Sequence, residues 1–153
     1  IYIFIASTVG ASELCFEVGH VCKVVSRLTR EYRGTSQLES SRLLAEAGAR
    51  RACVKTLKVA LPNHPENYCD GDVDIEIQCE EVSSDRCHAV SFICKSIHWN
   101  SGEQLGVGKI KTSLFLAEGS AIQDCRKNHK KDLGYPTDYC ESHTEFKCEE
   151  IQN

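Results

Sequence analysis

The chain has 153 residues, 41% hydrophobic and 26% charged, with a net charge of −4. That length suits one domain with a real core, and no run approaches the roughly 20 apolar residues needed to cross a bilayer. The mildly acidic balance excludes a nucleic-acid binder held by clustered positive charge.

In chain order, Ile1 to Ala6 is apolar and Ser7 to Ser12 is small-residue sequence. This reads as the end of a secretory signal (1–11) cut after Ala11, leaving 12–153 as a single disulfide-rich domain. Val21, Val24, Val25 and Leu28 recur at helical spacing and predict a helix over 20–33, stopped at Gly34. Ser36 or Ser40 caps a long amphipathic helix over about 38–60. Its apolar face carries Leu43, Ala47, Val54, Leu57 and Leu61, its basic face Arg51, Lys55 and Lys58, and Pro62 ends it.

The period then drops to two. Val73, Ile75, Ile77 and Cys79 alternate with Asp72, Asp74, Glu76 and Gln78, which predicts a half-buried strand. Ser83 to Arg86 is a turn, and 88–99 is a strand apolar on both faces, hence central, with Trp99 in the core. After the Asn100-Ser101-Gly102 turn, 105–116 reads as a third strand. Its pattern slips at Gly106 and Gly108, the mark of a bulge or a close backbone approach. Ser120 opens a short helix through Lys131, and the polar tail after Gly134 is tied down by Cys140 and Cys148. The expected architecture is α+β: N-terminal helices on a three-stranded or larger antiparallel meander, with no internal repeat.

Ten cysteines, at positions 15, 22, 53, 69, 79, 87, 94, 125, 140 and 148, lack any Cys-x-x-Cys spacing. Their even number predicts five disulfides in an oxidising, extracellular compartment. Connectivity stays open at this level: Cys15 or Cys22 ties the N-terminal segment to the core, and Cys140 or Cys148 anchors the tail. No cofactor or metal is expected. Asp70, Asp72, Asp74, Glu76 and Glu81 imitate a calcium loop, but Ile75 stands where a glycine should turn. His88 and His98 are too far apart along one strand to share an ion.

Charge is unevenly distributed. Residues 1–61 carry +4, residues 62–94 carry −7 and residues 95–153 carry −1. Such asymmetry steers partners.

The order of a long helix followed by an antiparallel sheet, over roughly 38–117, resembles the cystatin-like fold. That family fills a cysteine-protease cleft with a Gln-x-Val-x-Gly hairpin and a Pro-Trp hairpin. Here Gln104-Leu105-Gly106-Val107-Gly108 carries its Val one place later, and His98-Trp99 stands in place of Pro-Trp. The resemblance is one of topology, and it implies a protease inhibitor as one alternative. The stretch from Cys125 to Tyr135 resembles the active helix of secreted phospholipases A2, in which a His activates water beside a calcium-binding Asp. Lys130 and Lys131 separate His129 from Asp132 here, yet an i, i+3 pair shares a helix face. His129 and Asp132 are therefore the candidate catalytic residues of a small secreted hydrolase.

The leading reading is a secreted, disulfide-stabilised interaction protein: an inhibitor, a toxin-like effector or an extracellular ligand. A bridged scaffold loses little entropy on binding. The contact candidates are Asn100, Gln104 and Val107 in one hairpin, and Arg126, Lys127, Lys130 and Lys131 in a basic patch. The partner would be an extracellular protein or an anionic surface. A small lipid carrier is a further alternative, requiring a cavity between the 43–61 helix face and the strands.

Overall fold

A computed structural model describes residues 15–60, 65, 67–71, 73–130, 133–136 and 138–153. The expected signal remnant and Leu61, Pro62, Asp72, Lys131 and Asp132 lie outside the described residues.

The first half of the chain runs β1 (Val18–Ser26), β2 (Tyr32–Thr35), α1 (Arg42–Ala60) and β3 (Ile75–Ser83). The short helix α2 (Ser84–Ala89) leads into β4 (Val90–His98), β5 (Gln104–Val107), α3 (Leu114–Asn128), α4 (Tyr139–Ser142) and β6 (Thr144–Gln152). The sheets are ordered β2-β1-β3 and β5-β4-β6, and every pairing is antiparallel. The α+β class, the long helix and five disulfides are therefore present. The single meander is not. In each sheet the first strand lies in the middle, and the helix carries the chain to the opposite edge.

The two halves are copies of one ββαβ unit, which corrects the expectation of no internal repeat. Cys22 bridges Cys79 across β1 and β3, and Cys94 bridges Cys148 across β4 and β6, each with Cα atoms 4.1 Å apart. Cys53–Cys69 and Cys125–Cys140 tie each helix to the segment after it, each with Cα atoms 5.9 Å apart. The isolated bridges His20–Glu39 and Phe92–Lys111 coincide when the chain is shifted by 72 residues. The same shift superposes Ser41 on Ser113, whose hydroxyls accept from Leu44 N–H and Leu116 N–H at 3.3 Å to cap α1 and α3. It also places Arg30 (φ 62°) on Gly102 (φ 73°), the left-handed residue of each hairpin. Cys15 and Cys87, 72 residues apart, are matched positions under the same shift, and their bridge joins the two units by fastening the N-terminal segment to α2.

Each helix lies close on its sheet because its inner face is small. Ala45, Ala49, Cys53 and Leu57 are fully buried against Cys22, Val24 and Ile75. Ala117, Ala121 and Cys125 do the same for α3. A Cβ on Gly34 would sit 2.6 Å from Cys53 N, and one on Gly106 would sit 2.5 Å from Cys125 N. Only glycine lets the second strand of each unit pass under the helix backbone.

Several expectations are corrected. The helix over 20–33 is β1 and β2: as a central strand β1 is buried on both faces, so its valines do not alternate and fall at helix-like spacing. The cap of α1 is Ser41, and Leu43 and Leu44 point to solvent while Ala45 and Ala49 face the core. The Ser83–Arg86 turn is the start of α2, with the Ser83 hydroxyl accepting from Arg86 N–H. The third strand is only β5, and α3 begins six residues earlier than Ser120. The expected irregularity near Gly106 takes both forms: the strand passes close under α3, and the step from Ser96 to Ile97 on β4 faces two steps on β5, from Gly106 to Gln104, so Leu105 is an extra, bulged residue. Trp99 is 61% exposed, not core. The tail folds into β6, paired along all of β4. Of the α1 face expected to line a lipid cavity, Leu57 packs with Ala45, Ala49 and Cys53 against Cys22, Val24 and Ile75.

Candidate functional site: a lysine-rimmed groove at the unit boundary

The two units meet along α3. Lys23 Nζ donates to Glu118 Oε2 at 2.7 Å and lies over the Phe115 ring, 4.4 Å from its centroid. Glu80, on β3 of the first unit, accepts from Ser113 Oγ (2.9 Å), Phe115 N–H (3.3 Å) and Leu114 N–H (3.4 Å). A carboxylate from one unit thus satisfies free amides at the N-terminus of the other unit's helix, where the helix dipole favours negative charge. Tyr32 packs edge-on against Phe146 at 6.4 Å. Desolvation raises the pKa of the Tyr32 phenol, and desolvation also raises that of Glu118 despite the nearby Lys23.

Beside this seam runs a groove of about 480 Å³. Tyr32, Thr35, Gln37 and Leu38 of the first unit form one wall. Val107, Lys109, Lys111 and Lys127 of the second unit line the other. Among the described residues neither Lys109 nor Lys127 has a carboxylate partner within salt-bridge distance. The nearby acid, Asp124, is engaged: its Oδ2 accepts from Val107 N–H at 2.8 Å and from Asn128 Nδ2 at 3.4 Å. These neutral donors leave Asp124 its charge, so the groove holds the ammonium groups of Lys109, Lys111 and Lys127 against one lining carboxylate.

The sequence-based contact residues separate into two sets. Val107 and Lys127, from different segments, come together in the groove because β5 packs on α3. Asn128 Nδ2 donates to Leu105 O at 3.2 Å and fastens that contact. Asn100 and Gln104 are exposed on the β4–β5 hairpin, and Lys130 is exposed beyond α3. Arg126 points elsewhere: its guanidinium pairs with Glu141, whose side chain is almost wholly buried, and reaches Thr56 Oγ1 at 3.4 Å. It is a structural cation and not part of the contact patch. The sequence pattern does not reveal Lys109, Lys111 or the first-unit wall, because 105–116 has the spacing of one strand.

His129 lies outside the groove. Its Nδ1 is 3.1 Å from Cys125 O, and its ring meets Tyr135 edge-on at 4.7 Å and Tyr139 at 5.4 Å. Among the described residues no carboxylate is hydrogen-bonded to it, and Asp132 falls outside them. Donor atoms of Cys125, His129 and Cys140 cluster within 4.8 Å. The two sulfurs are joined in one bridge, so neither is the thiolate a metal requires.

The tyrosines continue into a ridge of rings. Tyr139 stacks on His143 at 4.8 Å, His143 is 5.8 Å from His98, and the His98 ring is nearly parallel to that of Trp99 at 6.2 Å. His98 Nδ1 accepts from Asn100 N–H and Ser101 N–H, so the neutral ring carries its proton on Nε2. Desolvation, with the charge of Glu103, raises the pKa of Tyr139. In the acidic segment, Glu76 is held below the usual carboxylate range by hydrogen bonds from Gln78 and Arg30. It lies on the strand β3.

The ten sulfurs, all bridged, mark a protein matured in an oxidising environment, and among the described residues no helix is long and apolar enough to cross a membrane. No protein-family model, curated protein or solved structure matches the chain.

Proposed function

We propose that the protein is a secreted binding protein that uses the groove at its unit boundary to hold an extended acidic segment of an extracellular protein. The observation that carries this reading is the convergence of Val107 and Lys127 with Lys109 and Lys111 on one open groove. Open grooves of this kind suit an extended chain, and the ammonium groups of Lys109 and Lys127 on the rim give attraction and orientation. The scaffold supports it. Both units are clasped by two disulfides, and the seam is fixed by a buried ion pair and a shared helix cap. Little ordering cost then falls on the binding step.

The test is a binding titration with a fluorescein-labelled Glu-rich peptide of about a dozen residues. Wild type should bind it with an affinity that falls as salt rises, because rim charges are screened. The double variant Lys109→Glu/Lys127→Glu should lose at least about tenfold in affinity, through two reversed charges. Equal affinity in both proteins would overturn the reading. Export is tested separately, by recovering the expressed protein from culture medium with its five bridges formed.

A further inference from the structure

The seam between the units is built from one face of the first sheet. α1 packs on the face that carries Cys22, Val24 and Ile75. The opposite face carries Lys23 and Glu80, which hold α3. They share it because Lys23 pairs with Gln78 and Val21 with Glu80, and alternate residues of a strand point the same way. Val21 and Val82, on that face, are 0% and 1% exposed. The first sheet therefore has a helix on each side.

The second sheet repeats this outer face in the same register. Lys95 stands for Lys23, Glu149 for Glu80, Ile93 for Val21 and Ile151 for Val82. Glu149 pairs with Ile93, and Lys147, in the place of Gln78, pairs with Lys95. Here the face is open. Lys95, Lys147 and Glu149 are exposed, and Ile93 and Ile151 are only half-buried. Among the described residues neither Lys95 nor Glu149 has an ion-pair partner. The helix side of the seam is also duplicated. A shift of 72 residues carries Ser113, Phe115 and Glu118 onto Ser41, Leu43 and Glu46 of α1. In α3 these three meet Glu80 and Lys23. In α1 Leu43 is 77% exposed, and Glu46 pairs with Arg42, one turn away on the helix surface, at 2.8 Å. Such a surface pair contributes little and exchanges readily.

Each molecule thus carries both sides of its internal seam a second time, on two separate surfaces that match in charge. We propose that a second molecule of this chain docks head to tail, seating the start of its α1 on the outer face of the β5-β4-β6 sheet. Lys95 pairs with Glu46 of the second molecule and lays its stem over Leu43. Glu149 accepts from the Ser41 hydroxyl and from free amides of the first turn, as Glu80 does for α3. Lys147 adds to the positive charge that draws Glu46. The two surfaces differ, so the contact is heterologous, and repeating it builds a ring or a filament. Neither surface uses a lysine of the proposed peptide groove, so this inference stands apart from that reading.

Sedimentation velocity and light scattering of the whole chain, over a concentration series, read the assembly. Wild type should pass from monomer to species larger than a dimer as concentration rises, and less so at high salt. Lys95→Glu and Glu46→Lys should each weaken association by about tenfold or more, since each sets like charges together. The charge-swapped Lys95→Glu/Glu46→Lys restores an opposite pair and should recover most of the association. Lys58→Glu, exposed in the last turn of α1, makes the same change in net charge as Lys95→Glu and should assemble as wild type does. Lys109→Glu/Lys127→Glu should also assemble normally, which separates failure of this contact from failure of the groove. A monomer at every concentration, assembly that stops at a dimer, or no recovery in the charge-swapped variant would overturn the proposal.

Discussion

Lys23 and Glu118 join the two units through a hydrogen-bonded ion pair of 2.7 Å, with side chains only 13% and 9% exposed. Burial raises the pKa of Glu118 more than Lys23 lowers it. A carboxyl whose pKa is raised in the folded state binds protons more tightly there than in the unfolded chain. Its contribution to stability is therefore greatest at acid pH and is lost as pH rises through the raised value. Lys23→Met should sharpen this dependence. Near neutral pH it leaves a buried carboxylate without its partner, at a cost of up to about 3–5 kcal/mol. The cost should shrink as the pH falls into the ordinary carboxylate range and Glu118 takes up its proton. Urea unfolding of wild type and variant at about pH 7.5 and about pH 4 measures the difference. An equal cost at both would show that Glu118 stays neutral or is solvated.

Gly34 and Gly106 pose the same steric problem in both units, since a Cβ at either would strike helix backbone and not a movable side chain. Gly34→Ala and Gly106→Ala should each destabilise by about 1–3 kcal/mol or more, the range for overpacking. Gly71→Ala is the control. Its Cβ would meet only Asn67 O at 3.6 Å, so the change should stay within about 0.5 kcal/mol. Comparable losses at all three positions would contradict the helix–strand geometry.

Arg33 occupies in the first unit the place that Leu105 holds in the second, shifted by 72 residues. It is 5% exposed, and its Nε and Nη1 are buried without partners while Nη2 reaches Glu31. Replacing such a buried ion by an apolar side chain is often neutral or stabilising by about 1–4 kcal/mol. Arg33→Leu should therefore raise stability by about 1 kcal/mol, because Glu31 is exposed enough to be resolvated. A fall in the thermal midpoint beyond about 4 °C, which corresponds to a loss of roughly 1 kcal/mol, would show that Arg33 is better satisfied than its geometry indicates.

What was legible in the sequence was what local pattern controls. The α1 helix, the half-buried β3, the two-faced apolar β4 and the close approach at Gly106 and Gly108 each leave a periodicity or a glycine as a mark. β1 failed because a central strand buried on both faces has no period of two, and Val21, Val24 and Val25 then imitate a helix. The start of α3 was missed because Ser113, its cap, sits in a stretch whose hydrophobic residues also suit a strand. The duplication was hidden by divergence of side chains, yet its signal stood in the cysteines. Cys22 to Cys53 and Cys94 to Cys125 are both 31 residues apart, and Cys-Glu-Glu recurs at 79–81 and 148–150. Of the candidate site, Val107 and Lys127 were readable as exposed hairpin and helix-end residues. The groove was not, because its opposite wall comes from the other unit.

The central claim is that one disulfide-clasped ββαβ unit occurs twice, and that the seam between the copies forms the binding surface. Peptide mapping of the unreduced protein by mass spectrometry tests the first part most directly and decides whether the second can stand. The expected result is Cys22–Cys79 with Cys53–Cys69, Cys94–Cys148 with Cys125–Cys140, and Cys15–Cys87 as the extra fastening. A bridge that joins the clasping cysteines of different units, such as Cys22–Cys94 or Cys53–Cys125, would contradict the repeat and remove the groove with it.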